Sequence, residues 1–67
     1  MKTNILKGKI VSAGYTQRSL APKMNMSANT LCKKINGKAP FDTDEIYHLC
    51  DLLHIEDDQE KAYIFLT

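Results

Sequence analysis

Apolar residues recur along the chain at spacings of three and four rather than two, which predicts helices throughout. Leu6, Ile10 and Ala13 share one face of a helix over 3–13. Gly8 weakens that helix, and Gly14 stands where a left-handed residue commonly stops one. Thr16 is a good N-cap for a second short helix over 16–24, on which Leu20, Ala21 and Met24 align. Pro22 lies beyond its first turn, removes an amide hydrogen bond and crowds the carbonyl of Arg18, so a kink or an early end is expected there. Asn25 tolerates a positive φ, and Ser27 can cap a third helix over 27–36 with Leu31 and Ile35 facing inward. Gly37 ends it, and Lys38-Ala39-Pro40-Phe41 is a loop.

Asp42-Thr43-Asp44-Glu45 reads as a capping box, with Asp42 capping and Glu45 reaching back. Its acids also suit the positive end of a helix dipole. The helix it opens runs to about Leu53, with Ile46, Leu49, Cys50 and Leu53 on one face, and His54-Ile55 closes it. Residues 57–63 suit a fifth short helix. The tail Ile64-Phe65-Leu66 favours β structure but has no strand partner in the chain. The expectation is an all-α fold, a compact four- to five-helix bundle forming a single domain over 1–67.

Length narrows the function. With 67 residues, the chain has no room for a two-domain enzyme or a nucleotide-binding α/β fold. A hydrophobic fraction of 43% with 25% charged residues suits a globule and not a disordered chain. The longest apolar run, Ala62 to Leu66, cannot cross a bilayer, and no signal-peptide pattern opens the chain, so a cytoplasmic location is expected. Two cysteines, Cys32 and Cys50, are too few for a disulfide scaffold.

The net charge of +1 conceals a segregation. Eight basic residues (Lys2, Lys7, Lys9, Arg18, Lys23, Lys33, Lys34 and Lys38) lie between Met1 and Phe41 with no acid among them. Eight acids and one base, Lys61, follow from Asp42 onward. A polyanion partner for the first half fits that pattern. Ordinary solvated faces are the plain alternative.

Two short helices joined by two or three residues cross steeply instead of lying antiparallel. The ordered set Thr16-Gln17, Leu20-Ala21, Asn25-Met26-Ser27, Thr30-Leu31, Ile35 and Asn36-Gly37-Lys38, followed by Pro40-Phe41 and Glu45-Ile46, resembles the phage Cro/CI-type repressor (XRE) family of helix-turn-helix proteins. The resemblance covers roughly residues 6–55. It implies a lambda-repressor-like DNA-binding domain with the helix-turn-helix over about 16–37, on helices two and three. Asn25 stands where the family usually has a turn glycine, and Pro22 is a departure within helix two.

The physics of such a unit can be followed without the resemblance. Leu20, Met24, Leu31 and Ile35 would lock the two helices together. Opposite Leu31 and Ile35 stand Asn29, Lys33 and Asn36, with Cys32 at the margin. A helix with that polar face fits the major groove of B-DNA. Asn29 can meet the edge of adenine, Lys33 can donate to guanine, and Ala28 can touch a thymine methyl. The resemblance places Gln17, Asn36 and Lys38 at DNA phosphate, and Arg18, Lys34, Lys9 and Lys23 are further candidates. It also implies a homodimer on an inverted-repeat operator. The apolar tail (Tyr63, Ile64, Phe65, Leu66) within 57–67 is the candidate dimer contact.

The expected function is therefore a sequence-specific double-stranded-DNA-binding transcriptional regulator, in a bacterial cell or a phage-infected host. The alternative is a protein-binding accessory module, antirepressor- or antitoxin-like, on the same fold. Cys50 and His54 are four apart, as metal ligands can be, but Cys50 falls on the core face and a small buried thiol is the simpler assignment. No catalytic constellation, cofactor, metal, membrane or small-molecule site is expected.

Overall fold

A computed structural model describes residues 1–66, and the last residue of the tail lies outside the described residues. Five α-helices follow one another: α1 (Thr3–Ser12), α2 (Gln17–Leu20), α3 (Ala28–Ile35), α4 (Thr43–Leu52) and α5 (Asp58–Phe65). A 3₁₀ segment, Ala21–Met24, extends α2. No strand occurs among the described residues, so the all-helical bundle expected from the periodicity is what forms.

The starts of α2 to α5 are each held by a side-chain cap. The Thr16 hydroxyl accepts the Ser19 N–H at 3.0 Å, and Ser19 Oγ accepts the Thr16 N–H at 2.9 Å. Ser27 Oγ accepts from Thr30 N–H at 3.1 Å. Asp42 and Glu45 form the reciprocal box, with bonds of 2.7 and 3.0 Å. Asp57 accepts from Gln59 N–H. These caps satisfy amides that an α-helix leaves without partners.

Four helical segments end in one way, with a left-handed residue after the last turn. These residues are Gly14 (φ 86°), Asn25 (φ 56°), Gly37 (φ 78°) and His54 (φ 58°). In each case the following amide reaches back five residues: Tyr15 to Ile10, Met26 to Ala21, Lys38 to Lys33 and Ile55 to Cys50. This closure occupies the orphan carbonyls and turns the chain sharply. Pro22 acts as its chemistry dictates. Ala21 N–H still bonds to Gln17, but Pro22 has no N–H to offer Arg18, and the helix tightens into the 3₁₀ turn from there.

One apolar core joins the helices. It contains Leu6 and Ile10 of α1, Leu20, Ala21 and Met24 of α2 and its extension, Leu31 and Ile35 of α3, Leu49 and Cys50 of α4, Leu53, Ile55 and Ile64. Ile64 is 0% exposed. The tail is thus the last turn of α5 and not a β-favouring strand. Its periodicity puts one residue in the core, and Lys2 N–H donates to the Ile64 carbonyl at 2.7 Å, tying the chain start to α5.

Glycine substitutions should separate propensity from geometry. Gly8 is exposed in mid-helix, and a Cβ there meets nothing within 4 Å. Gly8→Ala should raise unfolding free energy by about 1 kcal/mol in urea denaturation. Gly14→Ala also has space, but its positive φ should reverse the sign, with a loss of about 1–2 kcal/mol.

Candidate nucleic-acid interface

Burial of Leu31 and Ile35 orients α3, and the opposite side of the helix is open. Asn29 and Lys33, one turn apart, are both exposed, and Ala28 is half-buried at the first position. Thr30 and Cys32 are exposed as well. On the helical wheel Thr30 lies between Lys33 and Lys34. Its hydroxyl accepts from Ser27 Oγ at 2.9 Å, so it is part of the helix start. Cys32 is a free, exposed thiol beside Asn36.

Asn36 is exposed, but its amide turns back onto its own helix. Nδ2 donates to the Cys32 carbonyl at 2.9 Å and approaches Cys32 Sγ at 3.3 Å. Its donor group is therefore engaged at the end of α3. Gln17 is half-buried at the first position of α2, and Arg18 beside it is exposed.

Lys34 differs from its neighbour Lys33. A rotation of one residue carries it toward α4, where Nζ meets both oxygens of Glu45 at 2.6 Å. The two side chains are only 17% and 22% exposed. Lys34 is expected among the phosphate contacts, and here its ammonium is engaged by Glu45. The bridge joins α3 to the start of α4. Lys9 is likewise drawn to Glu60, 3.1 Å away, and Lys2 lies 5.5 Å from the Tyr63 ring.

What remains on the helical hairpin is a sorted set of cations. Arg18, Lys23, Lys33 and Lys38 are exposed, and none takes part in an ion pair among the described residues. No acid occurs anywhere in 16–38. The acids that do pair draw in Lys9, Lys34 and Lys61, none of them on the outward face of the hairpin.

The tail does not present the apolar edge expected of it. Ile64 is core and unavailable to a partner. Phe65 is half-buried with its ring edge-on to Phe41, centroids 6.1 Å apart. Only Tyr63 and Leu66 stand out, at 53% and 78% exposure. Cys50 is buried, and desolvation pushes its thiol up, the opposite of what a metal ligand needs. No group of three His, Cys, Asp or Glu among the described residues is placed to hold a metal ion. No helix among them is long and apolar enough to cross a membrane.

Hydrogen bonding from Lys34, then from the Asp42 amide, holds the Glu45 carboxyl below its usual range. A carboxylate with a depressed folded-state pKa stabilises the fold above its unfolded value, and that contribution disappears as pH falls through the folded one. Glu45→Gln retains the capping geometry but loses the charge. It should cost about 1 kcal/mol near neutral pH. The gap from wild type should close in urea melts as pH drops below about 4.3.

No curated protein and no solved structure matches the chain. Residues 2–67 match the family described as Protein of unknown function (DUF739), and the chain belongs to that family.

Proposed function

We propose that the chain is a sequence-specific double-stranded-DNA-binding transcriptional regulator, similar to the Cro/CI-type repressors, acting in the cytoplasm of a bacterium or an infected host. The observation that carries this is the set of four exposed, unpaired cations around α3 on a hairpin without acids. A duplex presents dense phosphate charge, and such cations gain by displacing its counterions. With α3 in the major groove, Asn29 and Lys33 face base edges and Ala28 lies near them at the helix start. Arg18 and Lys38 flank the helix in sequence and suit phosphate, with Gln17 beside Arg18. Asn36 contributes less, because its N–H groups are already turned inward.

A single module this small makes few contacts, so two copies on an inverted repeat are part of the proposal. The tail supplies less to that pairing than its apolar sequence suggested. Contacts between the copies fall to exposed side chains such as Tyr63, or arise only on DNA. No step of this function requires a cofactor or a catalytic group.

Gel shifts across a salt series test the proposal. Three cations on phosphate, Arg18, Lys23 and Lys38, predict a log–log slope near −2.7 per bound protomer, about a 40-fold loss of affinity between 50 and 200 mM salt. Arg18→Ala should flatten the slope by about 0.9 with sequence preference unchanged. Asn29→Ala should keep the slope and relax discrimination at one base by about 1–3 kcal/mol. A wild-type chain with no salt-dependent affinity for duplex DNA overturns the assignment in favour of a protein-binding module.

A further inference from the structure

DNA binding leaves the cleft between α4 and α5 unused. One half is an apolar groove of about 300 Å³ that includes Ile46, Ala62, Phe65 and Leu66. The other, about 280 Å³, includes Asp51, His54 and Glu56. Tyr47 and Lys61 line both halves and so divide them. The Lys61 ammonium lies 5.8 Å from the Tyr47 ring centre and 3.8 Å from the Asp58 carboxylate, which offsets its charge. Asp51 and Glu56 take part in no ion pair among the described residues. The cleft therefore sets an apolar slot beside an anionic one, with Leu66 and Tyr47 left 78% and 61% exposed.

We propose that this cleft docks a segment of a partner protein that carries an apolar side chain next to a lysine or arginine. Charge complementarity selects that occupant. Asp51, Glu56 and Asp58 line the cleft against one base, Lys61, a field that steers cationic segments and repels anionic ones, nucleic acid included. A second copy is a poor occupant. Two-fold pairing of the cleft would set Asp51, Glu56 and Asp58 against their own duplicates. Insertion of another copy's basic hairpin would be head-to-tail and would occupy the cations that the DNA-binding proposal uses. The docking surface is independent of the DNA-binding proposal, since it uses none of the exposed cations of the hairpin.

The test uses the full chain and a short fluorescent peptide with leucine at helical spacing and lysine between. Control peptides replace lysine by glutamate or leucine by alanine. Anisotropy should show binding of the leucine–lysine peptide alone, and its amide shifts should map to Ile46, Tyr47, Ala62 and Leu66. Leu66→Asn, at an exposed position that leaves the core intact, should weaken binding at least about tenfold. Asp51→Asn with Glu56→Gln should weaken it several-fold and reduce its salt dependence. Equal binding of the alanine–lysine peptide would show generic charge attraction and overturn the proposal. So would an unchanged affinity in Leu66→Asn, or sedimentation showing that a Leu66-dependent dimer occupies the cleft.

Discussion

The structure depends on the burial of Leu31 and Ile35. An eight-residue helix gains little from its own backbone bonds, and its orientation is set by what it packs against. With those two side chains sealed in the core, α3 has one rotational setting, and Asn29, Lys33 and Asn36 must face away. Leu20 and Met24 of the preceding segment meet the same core. The left-handed Asn25 lets the chain turn between them within a few residues. A rigid hairpin with a polar outer edge follows from apolar packing before any charge is considered.

Charge then divides the surface in two. Acids at Glu45 and Glu60 attract the lysines within their reach, Lys34 and Lys9. The pairs are modest in energy, but they decide which cations remain free. The Lys34–Glu45 bridge is the most consequential. Glu45 serves both the start of α4 and the side of α3, so the capping box that opens one helix also steadies the other. The result is a cationic hairpin on α2 and α3, and between α4 and α5 a cleft with an apolar and an acidic half. The proposed DNA surface and the proposed docking cleft use different charges and so do not compete, and the acids of the cleft would repel a duplex.

Much of the fold was legible because its signals are local. Caps at Thr16, Ser27 and Asp42, stops at Gly14, Asn25 and Gly37, and the break at Pro22 each depend on a residue's own chemistry within a few positions. His54-Ile55 was legible as the close of α4, but the left-handed form of that close was not, and it follows from Ile55 reaching back to Cys50. The tail misled for a related reason. Five consecutive apolar residues carry no periodicity, so nothing in sequence singled out Ile64 as the one that enters the core. The surface was less legible still. Lys33 and Lys34 are adjacent and chemically identical, and they are told apart only by a glutamate 11 residues away in sequence. Asn36 looked like an outward donor until its amide was found on the Cys32 carbonyl. Pairings between elements decide which polar groups are available, and short-range patterns do not encode them.

The claim that the open side of α3 and its surrounding cations form a nucleic-acid surface is tested most directly by amide NMR during titration with a random-sequence duplex. Shifts concentrated at Arg18, Asn29, Lys33 and Lys38, fading as salt rises, with α4 and α5 unmoved outside the start of α4, are the expected outcome. Shifts centred on the acidic cleft, or none at an excess of duplex in low salt, would contradict it.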